Sequence, residues 1–240
     1  MICPLVWGRR GAALGLLWMA ASAWGQVSAS LAAESDYRWR GVSLSNARPD
    51  LHLNLAYDHS SGWYAGASIG AVEFDSPPRQ VALLGYFGYA RRVAPGLACE
   101  IGLSAAHFGV NSPNDYAEVL IGLIREHWNL RAYFSPSYLG SGTRTVYAEL
   151  NGGWPLSLLS SELGHRPVRL VSHVGALTRL YGGTSEDSHR VRFDARLGLS
   201  VNLEDSEFQL AWVGGGSNDF YPLEYGRRRN AWVLSAAYFF

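Results

Sequence analysis

The chain contains no lysine, only two cysteines, and no long apolar run after its first 25 residues. All 20 basic residues are therefore arginine, and 20 acidic residues balance them. A charge near zero argues against a nucleic-acid partner. A membrane-spanning helix needs about 20 consecutive apolar residues, so the missing apolar run excludes one. Any crossing of a membrane must then be made by a closed sheet.

The N-terminus has the pattern of a secretory signal peptide. Arg9 and Arg10 precede the uncharged apolar stretch 11–23, and small residues follow. We expect an ordinary Sec signal spanning 1–25, cleaved near Gly25–Gln26, with Ala23–Trp24 as the alternative site. The mature domain, 26–240, then keeps 18 of the 20 basic residues and all 20 acidic ones, a charge of about −2. Cys99 remains alone, so no intramolecular disulfide can form.

Proline and glycine divide the mature domain into runs of about ten residues with a period of two, which predicts strands. The twelve predicted strands are 27–40, 47–58, 63–74, 80–91, 97–108, 115–125, 128–138, 144–155, 168–181, 189–203, 208–215 and 230–240. Short and long connections alternate, as in bacterial outer-membrane barrels. The exception is 156–167, a longer connection on the short-turn side, for which we expect a short plug or a helix.

The last strand predicts how the sheet meets its surroundings. Trp232, Leu234, Ala236, Tyr238 and Phe240 form one apolar face with aromatics at both ends. A soluble β-sandwich also alternates polar and apolar residues. Aromatic residues at two heights favour a bilayer-spanning barrel instead. The predicted membrane girdle is Trp39, Trp128, Trp154, Tyr181, Trp232, Tyr238 and Phe240.

The opposite face of each strand carries the charges. An arginine facing lipid near mid-depth costs about 2–4 kcal/mol, so Arg192, Asp194 and Arg196 must point inward. The faces of 63–74 stay unassigned. The predicted pore-lining residues are Glu34, Asp36, Arg38, His52, Glu100, Glu118, Arg131, Glu149, Arg169, His173, Arg179, Arg192, Asp194 and Arg196.

One stretch resembles a known family. Residues 30–45, including Glu34-Ser35-Asp36-Tyr37-Arg38-Trp39-Arg40-Gly41, followed by Pro49 and Gly62-Trp63-Tyr64, are similar to the opening of the TorF-type porins, or Gcw_chp family, of proteobacterial outer-membrane proteins. The likeness covers about the first quarter of the mature chain. It implies an outer-membrane barrel with porin activity, and it transfers no ligand residue. By parity, Asp36 and Arg38 face the lumen, where they either contact solutes or pair with each other to stabilise the rim.

These features predict a narrow outer-membrane porin for small polar or charged solutes, built as an all-β, antiparallel up-and-down barrel of about twelve strands. Its expected partners are outer-membrane lipids, small solutes and the barrel-assembly machinery, which reads Phe240. A non-conducting structural or surface-binding barrel is the alternative. The stretch 217–229, with Phe220, Tyr221 and three arginines, supports surface binding.

An outer-membrane lipid hydrolase is a further alternative with less support. Ser172 and His173 are adjacent in a strand and point to opposite faces, so they cannot form a catalytic pair. His107 has no serine clearly beside it. The seven histidines lack metal-ligand spacing, and one mature cysteine cannot supply a cysteine pair. We therefore predict no catalytic residue, metal or cofactor.

Overall fold

The structure, a computed structural model, describes residues 25–73, 79–109, 112–162, 166–180, 191–216 and 230–240. Its strands are β1 (Gly25–Glu34), β2 (Arg38–Trp39), β3 (Val42–Ser43), β4 (Asp50–His59), β5 (Trp63–Val72), β6 (Gln80–Ala94), β7 (Leu97–Phe108), β8 (Tyr116–Ile124), β9 (Trp128–Ser135), β10 (Thr145–Pro155), β11 (Val168–Arg179), β12 (Val191–Leu203), β13 (Ser206–Gly215) and β14 (Asn230–Phe239). A short helix, α1, spans Ser157–Glu162. Within the described ranges, no helix is long and apolar enough to cross a membrane.

Twelve strands form one closed antiparallel barrel in which each strand pairs with its sequence neighbours. The barrel closes where β1 pairs with β14, and Leu31 lies opposite Tyr238. The remaining two strands, β2 and β3, pair only with each other. The predicted fold class, an up-and-down barrel of twelve strands, is confirmed.

Side-chain exposure identifies the two faces of the wall. On β12, Phe193 and Leu197 are 66% and 54% exposed, whereas Arg192 and Asp194 are 2% and 4% exposed. Every second residue of a strand points to the same face, so the charged set faces the lumen and the apolar set faces outward. On β14, Trp232, Leu234 and Phe240 point outward in the same way.

Most strand bounds agree with the prediction to within three residues, but the first strand does not. It ends at Glu34 rather than Arg40. The unassigned strand, β5, turns Tyr64 and Ser68 inward, because Tyr64 bonds to inward-facing Glu100 and Ser68 is buried. Within 156–167, α1 lies on the outer wall, where Leu159 lines a groove with Leu199 and Phe208. The described part of that connection therefore contains a short helix, and this helix lies outside the lumen.

The buried core lies inside the barrel, in the half that adjoins the long connections. Inward-facing residues of the wall meet residues of two connecting segments, 35–49 and 136–144. The core residues are Val42, Leu44, Val72, Ala82, Leu84, Ala106, Phe108, Tyr116, Tyr138, Leu139, Tyr147 and Leu177. This long-loop half of the lumen is consequently packed, and the short-turn half carries mainly polar side chains.

Candidate functional site: the lumen and its inner loop

Residues 35–49, which we name the inner loop, leave the wall after Glu34 and fold into the lumen. The β2–β3 hairpin forms the tip of the loop. At the tip, Gly41 has a φ of +76°, and a Cβ there would lie 2.8 Å from Cβ of Asp194 on β12. Only glycine adopts this conformation at so little cost and permits so close an approach.

Asp36 holds the loop in shape. Its carboxylate accepts hydrogen bonds from Arg38 Nε at 2.7 Å and from Ser43 Oγ at 2.5 Å. Ser45 Oγ in turn accepts the backbone N–H of Tyr37 at 2.9 Å. Asp36 and Arg38 do pair, as one alternative predicted, but they do so within the inner loop and not on the wall.

The base of the loop is attached to the end of β5. The backbone N–H of Glu73 donates to the carbonyl of Leu44 at 2.8 Å. The Glu73 carboxylate accepts bonds from Asn46 Nδ2 at 3.2 Å and Arg48 Nη1 at 3.1 Å. Charged hydrogen bonds of this kind are stronger than neutral ones, so Glu73 fixes the base firmly.

Arg40 attaches the tip of the loop to the wall across the lumen. Its Nη1 and Nη2 donate to the two oxygens of Glu118 on β8 at 2.9 and 2.6 Å. Burial opposes the charge on Arg40, but Glu118, Tyr138 and Tyr116 raise the pKa of Arg40 well above its ordinary value. Arg192 on β12 donates to the Arg40 carbonyl at 2.6 Å. The loop is thus bonded to two parts of the wall that lie four strands apart.

A second ion pair lies on the wall at mid-lumen. Arg131 Nε donates to Glu100 Oε1 at 2.6 Å, and the Tyr64 hydroxyl donates to Glu100 Oε2 at 2.7 Å. On the next strand, Glu149 accepts a bond from the Tyr133 hydroxyl at 3.0 Å. These carboxylates are buried and hydrogen-bonded, as buried charges must be.

His173 links the three adjacent strands β10, β11 and β12. Its Nδ1 lies 2.7 Å from Asn151 Oδ1 on β10, and its Nε2 lies 2.7 Å from Asp194 Oδ1 on β12. The Tyr147 hydroxyl also donates to Asp194, at 3.2 Å. Each of these groups points inward, so a polar chain follows the inner surface across β10, β11 and β12.

The remaining predicted lumen residues differ in how completely they are paired. His52 Nε2 lies 3.0 Å from Asp50 Oδ2, and Arg169 donates to the Gly153 carbonyl at 3.2 Å. Arg179 ends β11 on the inward face. Within the described residues, Glu34 Oε2 is buried without a hydrogen bond. Arg196, also inward, lies near enough to Glu34 to interact electrostatically. No ion pair joins Arg196 to a carboxylate of the described residues.

Three residues that were predicted to lie on the wall do not lie there, because β1 ends at Glu34. Asp36 and Arg38 lie in the inner loop rather than on the wall. The girdle position predicted for Trp39 is wrong, because the chain has already left the wall and Trp39 packs against the core inside the barrel.

The other predicted girdle residues within the described ranges point outward. Trp128 and Tyr238 lie towards the short-turn end, where Trp154 and Phe240 also lie, and Trp232 lies towards the long-loop end. Tyr181 and nearly all of the predicted signal peptide fall outside the described residues. The pore-lining role of the inward set stays a prediction.

Three members of the site were not predicted from the sequence: Arg40, Tyr138 and Tyr147. All three are buried around the Arg40–Glu118 pair. Ser43 and Ser45 were a usable signal, because serine side chains hydrogen-bond to nearby backbone groups and so favour turns over strands. Polar and apolar residues alternate with a period of two in an inner hairpin as they do in a wall strand. The period alone could therefore not distinguish the two.

Nothing in the described residues adds a catalytic or metal site. His107 bonds to Asp115 on the outer wall, and both side chains are exposed. Across the described ranges, no serine hydroxyl bonds to His107, and no group of three or more His, Cys, Asp and Glu side chains could hold a metal ion.

An apolar outer wall around a charged inner wall, closed from twelve antiparallel strands, defines an outer-membrane β-barrel. The family model described as "Bacterial protein of unknown function (Gcw_chp)" matches residues 19–235. The chain therefore belongs to the Gcw_chp family, in agreement with the resemblance of its N-terminal motif. None of the curated proteins matches the sequence.

Similar solved structures are porins. A KdgM porin is 9% identical with a TM-score of 0.52, and the match covers 88% of this chain and 98% of that one. A KdgM porin in complex with disordered oligogalacturonate is 9% identical with a TM-score of 0.51, at the same coverage. A NanC porin is 8% identical with a TM-score of 0.53, and the match covers 89% of this chain and 99% of that one. At these identities the likeness establishes the fold, which is that of outer-membrane porins.

Proposed function

We propose that this protein is a narrow porin-like channel for small polar or charged solutes, delivered to the outer membrane by its N-terminal signal peptide. The observation that carries the proposal is the closed barrel with apolar residues outside and charged residues inside. A polar, charged inner wall is the lining that a water-filled passage requires.

The dimensions restrict what can pass. Twelve strands about 4.8 Å apart and tilted by about 40° enclose a backbone radius of about 12 Å. The inner loop and the core fill much of the long-loop half. On this proposal solutes pass beside the inner loop and along the polar short-turn half, a route that suits small solutes rather than polymers.

The charges indicate how solutes are selected. Most inward charges are paired, as Arg40 is with Glu118 and Arg131 is with Glu100. Paired charges present little net field to a passing ion. Arg196 forms no ion pair with the described residues, and Glu34 opposes its charge through an electrostatic interaction without a salt bridge. We propose that Arg196 sets ion preference at mid-depth.

The packed core supports a second candidate, a non-conducting barrel. Val42, Leu44, Tyr138 and Leu139 are each at most 4% exposed. If no path exists beside them, the barrel serves as a structural or surface-binding element. The proposal includes no enzymatic activity. Among the described residues His107 bonds to Asp115, and a contact of Ser61 Oγ with His59 Nδ1 at 2.6 Å lies in the exposed turn between β4 and β5.

Planar-bilayer conductance of the refolded protein separates the two candidates. The channel predicts discrete steps in the wild type and larger steps after residues 37–47 are replaced by a short Gly-Ser turn. A matched variant in which the short turn 204–205 between β12 and β13 is replaced by Gly-Ser tests whether any change of a connection has the same effect. If the wild type and the 37–47 variant both fold but neither conducts, the channel proposal is overturned and the structural barrel is favoured.

A further inference from the structure

The Arg40 side chain occupies a cage inside the barrel. Glu118 binds its guanidinium through two parallel hydrogen bonds of 2.9 and 2.6 Å. Aromatic rings surround the same group at 4.0 to 5.4 Å from Cζ to ring centroid; they belong to Trp39, Tyr133, Tyr138 and Tyr147. The cage combines residues of three wall strands with residues of both inward segments.

This combination of groups is specific for one cation. A carboxylate accepts two parallel N–H bonds from a guanidinium, whose planar fork matches it. Aromatic faces attract any cation within about 6 Å. A quaternary ammonium satisfies the rings but offers no hydrogen for Glu118, and a primary ammonium cannot form the parallel pair. The cage therefore distinguishes guanidinium from ammonium ions.

The backbone at Arg40 shows that the cage holds the loop and not the reverse. Arg40 has a φ of 48°, in the left-handed region that a side chain disfavours, and Gly41 follows with a φ of 76°. Such conformations persist only where the surroundings over-determine them. Here the fixed points are the Glu118 bonds, the bond from Arg192 to the Arg40 carbonyl, and the contact of Gly41 with Asp194.

We propose that Glu118 and the four rings form a guanidinium-binding site that Arg40 fills from within the chain, and that this occupancy fixes the tip of the inner loop across the lumen. Emptied of Arg40, the site accepts a small alkylguanidinium from solution. The effect on ionic current rests on the proposed channel function, but the binding itself does not.

Binding is tested with R40A refolded in detergent and titrated with ethylguanidinium at concentrations far below those that denature proteins. The readout is the temperature of the heat-modifiable gel shift. We expect ethylguanidinium to raise this temperature in R40A, and to bind at least about tenfold more tightly than ethylammonium or tetramethylammonium, because only it replaces both charged hydrogen bonds. The R40A/E118A variant should show no specific rise.

If R40A does not refold alone, its refolding yield with and without ethylguanidinium becomes the test. Recovery of folded protein with ethylguanidinium only, and not in R40A/E118A, supports the site. An equal response to all three cations, an equal response of R40A and R40A/E118A, or no response of folded R40A would overturn it.

Current separates this inference from the channel proposal. R40A should conduct more than wild type, and ethylguanidinium should return the current toward the wild-type level. A thermal shift without current in any variant supports the guanidinium site and refutes the channel. Current in wild type and R40A without any thermal shift supports the channel and refutes the site.

Discussion

Glu118→Gln tests whether the inner loop is held by charge or by shape. The substitution keeps the size of the side chain and removes its charge. Glu118 and Arg40 have side chains 2% and 4% exposed, and their closest atoms are 2.6 Å apart. Water cannot replace the lost carboxylate there, so the Arg40 cation stays buried without a counter-ion.

Removing one partner of a buried ion pair costs about 3–5 kcal/mol. The glutamine oxygen retains one hydrogen bond, and the rings around Arg40 still attract its charge, so we expect the lower end, about 3 kcal/mol. That loss is large beside a typical folding free energy of about 5–15 kcal/mol.

The assay is urea unfolding of protein refolded into phospholipid vesicles, followed by tryptophan fluorescence. Glu207→Gln is the matched control, because Glu207 is a half-buried inward residue of β13 without an ion pair in the described part of the chain; its loss should stay within about 0.5 kcal/mol. R40M/E118Q should recover part of the loss, since no buried charge remains. Equal small losses in E118Q and E207Q would refute the reasoning.

Three further predictions concern selectivity, assembly and export. Arg196→Glu should shift the reversal potential in a salt gradient toward cations and Glu149→Arg toward anions. Arg228→Glu, in the stretch 217–229 that the sequence predicts to be the last loop, should change little because salt screens a charge in such a loop. Unchanged selectivity in the first two variants with conductance intact would contradict the lumen assignment. Deleting Phe240, or changing Trp232, Tyr238 and Phe240 to Asp, should leave the chain unassembled in the periplasm, and normal heat-modifiable migration would contradict this. N-terminal sequencing of membrane-extracted protein should start near Gln26, and an intact Met1 would refute export.

The wall could be predicted from sequence because it obeys one simple rule. A strand between lipid and water must alternate, and a reversed register would put charges such as Arg192 and Asp194 in lipid. The penalty applies to every wall strand, so the pattern is repeated and readable. Proline and glycine mark the ends of the strands. Gly62, for example, lies in the turn between β4 and β5 with a positive φ.

The inner loop could not be predicted in the same way. Its first residues alternate between polar and aromatic side chains, Asp36, Tyr37, Arg38 and Trp39, as those of a wall strand would. The contacts that distinguish an inner loop from a wall strand are long-range. Tyr37 lies against His52 with ring centroids 4.1 Å apart, and Arg40 reaches Glu118, 78 positions along the chain. No local pattern encodes a partner at that separation. Four left-handed residues of the loop, Arg40, Gly41, Asn46 and Ala47, break the extended conformation, with φ of 48°, 76°, 55° and 56°.

The inner loop also constrains its own sequence more tightly than a wall strand does. A wall strand needs apolar residues outward and polar residues inward, and many sequences meet that requirement. The inner loop requires specific residues instead. Asp36 accepts the hydrogen bond of Ser43, and Arg40 donates to Glu118. Gly41 has no side chain that would collide with Asp194. Connecting segments usually lie on the surface and tolerate change, whereas this one is buried at almost every position of its tip. A specific motif followed by a merely periodic sequence is therefore what a barrel with a fitted inner loop should show.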